Sequence, residues 1–366
     1  MIKRWAIILL CLIVSVSFLA CGSNRKQENK PGESAVPTDS TDQAKDGEQK
    51  STAEELLKVS VTFDAMKEFV AAVGKDKVEI STIIPAGMEP HDFEPKARDL
   101  ARLSEARVFV YNGLNMEEWA EEAIQAVNNA ELIIVEASKG ADIIENGESG
   151  DHEEDGEHEE DGGNEDGKHE DEEHEDEEHE DEEHEGEEHS EDDGHGHGLY
   201  DPHIWLSLKG AQIQVKNIKD ALVLADSANR DYYEANCEDF IVRLESLYSE
   251  YREKFQSVEK KSFVTGHAAF GYLCRDFGLE QNSVADTFAE GEPSARQLAE
   301  LVEYCRKHQV TAVFAEEMAS PEVSRTLADE VGAKVETIYT IESSEDDMTY
   351  LERMETNLSK IYDSLK

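Results

Sequence analysis

Twice along this chain, short β-branched runs alternate with segments whose apolar residues recur at helical intervals, and no other feature restricts the fold so strongly. In the first half, residues 58–62, 78–84, 107–111 and 132–135 have strand character, with helical spacing at 65–73, 96–104 and 117–127. In the second half, strands are expected at 262–265, 283–285, 310–315 and 334–338, interleaved with helices at 269–277, 295–308, 321–331 and 348–365. Alternation of strand with helix implies the α/β class with parallel sheets, and two such series predict two lobes. Between them, residues 229–255 carry Phe240, Ile241, Leu244, Leu247, Tyr248 and Tyr251 at helical intervals, with no Gly or Pro. That segment is expected to be one long helix joining the lobes, a strut that restricts hinge motion more than loose crossovers would.

One stretch stands outside this pattern. From 145 to 198 the chain holds 30 Asp and Glu against one Lys, and so carries −29 of the formal net charge of −50 over 366 residues. Such an acidic balance excludes a nucleic-acid partner, which needs clustered cations, and argues against a grip on anionic lipid through a basic patch. The same stretch holds nine of the 13 histidines. A His-Glu-Asp-Glu-Glu unit recurs there, placing His169, His174, His179, His184 and His189 at a five-residue period, with His195 and His197 near the end. Five residues turn a helix by about 140°, so these side chains share no helical face, and like-charge repulsion predicts a disordered insert. Imidazoles strung along a polyanion are expected to hold divalent metal weakly at many places, whereas a merely solvating insert has no need of the histidine period.

At the N-terminus, Lys3 and Arg4 precede an apolar run over 5–20, shorter than the roughly 20 residues of a spanning helix, which reads as an export signal. The run ends in Phe18-Leu19-Ala20-Cys21-Gly22, which resembles the lipobox of bacterial lipoproteins, with Phe18 where Leu is usual. Cleavage before Cys21 and lipidation of its thiol would anchor the chain to the outer face of the cell membrane; without the anchor the protein is expected to be periplasmic. The next segment, to residue 55, is polar, cannot bury a core, and should form a tether with an r.m.s. reach on the order of 30 to 35 Å. The expected organisation is a signal peptide (1–20), a tether (21–55), a first lobe (56–228) interrupted by the insert (145–198), a linking helix (229–256) and a second lobe (257–366). Cys237, Cys274 and Cys305 remain in the body. An exported location permits a Cys274–Cys305 disulfide between two expected helices, and buried unpaired thiols are the alternative.

Outside the insert only His91, His203, His267 and His308 occur. His91 lies in IPAGMEPHDFEP directly after an expected strand, His203 in YDPHIWL where order resumes after the insert, and His267 in TGHAAFGY at the end of an expected strand. In open α/β sheets ligands bind beyond the carboxyl ends of strands, so these three can meet in a cleft between the lobes. His308, beside Arg306 and Lys307, reads as a solvent-facing residue at a helix end.

These three strings, with Tyr111-Asn-Gly113, Trp119, Glu292-Pro-Ser294 and Val313-Phe-Ala-Glu316 in this order, resemble the solute-binding proteins of zinc and manganese ABC transporters, the ZnuA-like group. The resemblance runs from about residue 56 to 366 with the insert set aside. It implies two α/β lobes joined by one long helix, a metal in the cleft, and His91, His203 and His267 as ligands. In manganese-type relatives a carboxylate replaces the third histidine, whereas a third imidazole favours zinc. Relatives often supply an aspartate from the last strand-to-helix loop, near Ile341 of this chain, so the fourth ligand here is Glu342 or water, ahead of Glu89. Asp201 and Glu316 are candidates for orienting the imidazoles. The implied function is that of a receptor, not an enzyme: a monomer that captures Zn²⁺ and delivers it to a membrane permease driven by a cytoplasmic ATPase. The rival readings are a manganese or broad divalent receptor, a surface adhesin or metal buffer built around the insert, and a zinc hydrolase. No HExxH helix or nucleophile motif supports the hydrolase. Imidazole ligands with ordinary pKa values are expected to lose zinc near and below pH ~6.

Overall fold

Val108, Phe109 and Val110 are apolar and buried on both faces, as a strand must be when helices cover both sides of its parallel sheet. They form the middle of a series that runs β1 (Leu57–Val61), α1 (Asp64–Gly74), β2 (Val78–Thr82), α2 (Ala97–Ser104), β3 (Val108–Tyr111), α3 (Ala120–Val127) and β4 (Ile133–Glu136). The computed structural model describes residues 55–146, 198–287, 294–316, 322–343 and 346–366. Two helices follow the insert, α4 (Leu208–Ala225) and α5 (Arg230–Gln256). The second series runs β5 (Ser262–Thr265), α6 (Gly271–Phe277), β6 (Glu280–Ser283), α7 (Ala295–His308), β7 (Ala312–Glu316), α8 (Glu322–Val331), β8 (Lys334–Ile338) and α9 (Tyr350–Ser364).

The strands form two four-stranded sheets, ordered β2-β1-β3-β4 and β6-β5-β7-β8, and every pairing is parallel. The expected α/β class with two parallel-sheet lobes and one long helix is the observed one, α5 having 27 residues. In each sheet the first strand sits inside, so the chain reverses direction beside it. That reversal opens a crevice at the carboxyl ends of β1 and β3 in one lobe and of β5 and β7 in the other.

The lobes share one core. A single apolar cluster joins Val59, Phe109 and Val135 of the first sheet to Phe263 and Phe314 of the second, through Leu222 of α4, Phe240 of α5 and Met354 of α9. A smaller cluster of Val264, Leu301, Cys305, Val313, Leu327 and Ala328 covers the other face of the second sheet. The Cys274–Cys305 disulfide is not formed, because Cys274 packs in the shared core and Cys305 in the smaller cluster. All three cysteines of the body are buried free thiols, and burial pushes the Cys305 thiol up to about 11.

Two elements depart from expectation. Helix α4 was not anticipated, although Leu208, Ala211, Val215, Ile218 and Leu222 recur at helical spacing and are buried. Its first turn is capped by Ser207, whose hydroxyl accepts from Gly210 N at 2.9 Å. Strand β6 falls on the polar run Glu280–Ser283 instead of 283–285, since an edge strand needs backbone pairing more than apolar side chains. The proposed leader and lipidation site at Cys21, and His169, His174, His179, His184, His189, His195 and His197, lie outside the described residues.

Candidate metal centre

Each of the three motif histidines lies on a loop, outside the named strands and helices. His91 follows β2, His267 follows β5 at the switch point of the second sheet, and His203 follows the insert. The backbone around the insert is tied before it reaches His203. Asn146 N donates to Leu199 O at 2.9 Å and Asp201 N to Ile144 O at 3.0 Å, closing the two ends of the insert side by side. Tyr272 of α6 donates its hydroxyl to Asp201 O at 2.7 Å and accepts from Ile144 N at 3.1 Å, clamping that junction to the second lobe.

The side chains converge. His203 Nε2 lies 3.4 Å from His91 Nε2 and 3.3 Å from His267 Nε2, and 3.7 Å from Glu342 Oε1. One donor atom from each of His91, His203, His267 and Glu342 falls within 4.8 Å of the others. Ligands about 2.0 to 2.1 Å from a tetrahedral zinc lie about 3.3 Å from one another, so the two nitrogen separations already have the length of a tetrahedron's edge. His203 is 0% exposed, His267 7% and Glu342 4%, which keeps bulk water from competing for the donors.

A hydrogen bond selects the tautomer of His203. Its Nδ1 is 2.9 Å from Asp201 Oδ1, and its backbone N donates to the same oxygen at 2.9 Å. With the proton held on Nδ1 by the carboxylate, Nε2 presents its lone pair to the cluster. Asp201 thus fills the orienting role expected of it. Glu316 instead orients backbone: its Oε1 accepts from Gly266 N at 2.9 Å and His267 N at 3.0 Å, while His267 Nδ1 is 4.0 Å away. A β-carbon at Gly266 would lie 2.0 Å from Glu316 Oε2 and one at Gly271 2.6 Å from Asp201 Oδ2, so either substitution would push a carboxylate of this network aside.

Glu342 reaches the cluster through a backbone kink. Ile341 has φ of 60°, a left-handed conformation that costs a β-branched residue about 1 to 3 kcal/mol. Its side chain is fully buried in the shared core, which holds the kink, and the next residue faces the histidines. Glu89, the other carboxylate considered, accepts the backbone N–H of His91 and stands outside the group. His308 is also outside it; half-buried at the end of α7, it stacks on Tyr304 at 4.2 Å and pairs with Ser262 Oγ at 3.0 Å.

Burial, and for His91 the neighbouring His203 next, holds His91 and His203 down at about 3, and burial holds His267 well below its ordinary value. The imidazoles of the metal-free protein are therefore neutral and able to ligate far below pH 6, contrary to the expectation from ordinary values. Burial pushes Asp201 up to about 7, and Glu117 likewise to about 7.

The motif reading did not identify the residues that support the Pro202–His203 backbone. Glu117 accepts from Thr62 Oγ1 at 2.6 Å and from the backbone of Asn112 and Gly113 at 2.9 and 3.1 Å. Asn112 then donates to Pro202 O at 2.9 Å and accepts from Gln214 at 2.8 Å. The Tyr111-Asn-Gly113 string hinted at the first half of this network; Gln214 lies on the unanticipated helix α4 and had no local signal. A surface cleft of ≈ 690 Å³ lined by Leu57, Lys58, Asp76, Lys77 and Arg107 contains none of these residues.

Comparison with known proteins follows the same lines. Residues 59–364 match the family described as zinc-uptake complex component A, periplasmic (ZnuA). A protein of Treponema pallidum (strain Nichols) named for metal binding is 41% identical over 314 residues, covering 85% of this chain and 88% of its own length. The high-affinity zinc uptake system protein ZnuA of Bacillus subtilis (strain 168) is 37% identical over 314 residues, or 84% of this chain and 88% of that protein. Among solved structures, a zinc-bound ZnuA deletion mutant is similar with a TM-score of 0.66 at 26% identity, spanning 85% of this chain and 99% of its own.

Proposed function

The chain belongs to the ZnuA family of zinc-uptake components, and on that premise we propose that His91, His203, His267 and Glu342 together bind one Zn²⁺ as cargo. The protein is an extracytoplasmic zinc-binding receptor of an uptake system, and it hands its ion to an ABC permease worked by an ATPase. The observation that carries the site assignment is the pair of Nε2–Nε2 separations, 3.3 and 3.4 Å, between buried imidazoles. Those separations match the edge of a tetrahedron of nitrogens around zinc, and Glu342 supplies a carboxylate oxygen beside them. Four protein donors also leave no position for the water that a catalytic zinc activates, which supports capture over hydrolysis.

Three imidazoles and one carboxylate suit zinc better than manganese, which prefers oxygen ligands and six-coordination. The insert adds weak sites to the tight one. A protein lacking residues 145–198 is expected to bind one equivalent of Zn²⁺ tightly, and about a hundredfold excess of Mn²⁺ is expected to leave it in place. Isothermal titration with each ion decides the matter; displacement by Mn²⁺ would establish the broad divalent reading, and loss of the tight site would move the function to the insert.

The leader, the small residue before Cys21 and the polar tether support lipid anchoring. Cys21→Ser is accordingly expected to shift the protein from the membrane fraction to the soluble fraction, where it should sediment as a single chain. Unchanged membrane retention of that variant would overturn the anchor.

A further inference from the structure

Glu342 comes from the second half of the chain, yet the backbone that carries it is bonded to the first lobe. After β8, Thr340 O accepts from Trp205 Nε1 at 2.7 Å, Glu342 O accepts from Asp64 N at 3.3 Å, and Ser343 Oγ accepts from Gly87 N at 2.8 Å. Gly87 precedes His91 on its loop and Trp205 follows His203, so the bonds run to the segments that bear two other donors. His267 is held differently, by Thr265, Gln281 and Glu316 of the second sheet.

The Asp64 contact is fixed by a buried ion pair. Arg353 of α9, 2% exposed, donates from Nη1 to Asp64 Oδ2 at 2.6 Å. Its Nη2 and Nε donate to Asp346 Oδ1 at 2.7 and 3.0 Å. Asp64 is the first residue of α1 and 4% exposed; its Oδ2 is gripped by buried Arg353 and its Oδ1 by half-exposed Lys67 at 3.0 Å, while its own N–H grips the Glu342 carbonyl. A guanidinium taken this far out of water adds little stability compared with apolar side chains of the same volume, which points to a role beyond holding the fold.

We infer that Arg353 is a positioning residue for the metal site: by fixing Asp64 it fixes the Glu342 backbone on the first lobe, alongside His91 and His203. His267 is then the one donor of the four held by the second sheet, and a small separation of the lobes would withdraw it first. The inference rests on the four-donor reading above.

A double-mutant cycle on the full-length protein tests it, with Zn²⁺ and a competing chelator that empties the weak sites. Arg353→Met is expected to raise the zinc Kd about 10-fold, within the 10–100-fold that supporting residues of metal ligands cost. In a Glu342→Gln background the same substitution should change Kd by less than about 2-fold, because the carboxylate it positions is gone. Equal effects in both backgrounds, or a lowered melting temperature with an unchanged Kd, would overturn the positioning role. If Glu342→Gln alone leaves Kd unchanged, the four-donor reading itself fails. Asp64→Asn, which keeps the backbone contact and loses the charge, runs the same cycle should Arg353→Met not fold.

Discussion

His203→Ala is expected to abolish tight zinc binding, with a loss of more than about 100-fold in affinity, the upper end of what removing a mere supporting partner costs. His203 is the centre of the group, within 3.3 to 3.7 Å of the other three donors, and it is the donor whose tautomer is set by a carboxylate. Removing it leaves His91 and His267 without a shared neighbour and Asp201 without its proton donor. His91→Ala should cost less, because His91 is only partly buried and sits on a loop after an edge strand. Fold is expected to survive in both variants, since neither histidine belongs to the shared apolar core. Competition against a chromogenic chelator measures the affinity and far-ultraviolet circular dichroism the fold. A His203→Ala protein that binds as tightly as the parent would remove the cluster from consideration as the zinc site.

The second large effect concerns pH. Three imidazoles with ordinary pKa values near 6.5 would each lose about tenfold in affinity per pH unit below that value, or about a thousandfold together. Here burial lowers His91 and His203 to about 3 and His267 also well down, so protons do not compete for these nitrogens at pH 5.5. Asp201 has the opposite shift. Raised by burial to about 7, its carboxyl takes up a proton below that pH in the metal-free protein, and a cation bound at His203 Nε2 would favour the ionised form and expel that proton. One proton released per zinc predicts a loss of about tenfold per pH unit below 7, and no more. Asp201→Asn still offers an acceptor to Nδ1–H and has no proton to release, so its affinity should be nearly flat from pH 7 to 5.5. Titrations at pH 7.5, 6.5 and 5.5 separate the cases; a thousandfold fall per unit in the parent would mean the imidazoles are solvated. The insert histidines, if they keep ordinary values, should release their weakly held metal near pH 6.5 while the tight site remains loaded.

Much of this protein is legible along the chain because the features concerned are local. Strand β8 occupies the residues its pattern marks, 334–338, because β-branched Val335, Thr337 and Ile338 dominate the run. Helix α5 follows from an uninterrupted apolar stripe. Strand β6 is misplaced by pattern because the polar run Glu280–Ser283 carries no apolar signal, and its pairing with β5 rests on backbone and polar side-chain bonds. The three histidines are legible for a related reason: each lies where a strand or an ordered segment begins or ends, and such ends are the places where parallel sheets bind ligands.

By itself the sequence determined the α/β class, the two series of strands, and the three histidine strings that the structure brings together. Tertiary structure decided the rest. The choice of Glu342 over Glu89 depends on a kink at Ile341 that only the shared core can hold, and on bonds to Asp64, Gly87 and Trp205 from distant parts of the chain. Likewise the lowered imidazoles and the raised carboxyl of Asp201 follow from burial, and the unpaired Cys274 and Cys305 from their packing in different clusters. Periodicity records which face of a helix or strand is apolar, but burial and hydrogen bonding across hundreds of residues exist only once the two sheets have packed around α4, α5 and α9.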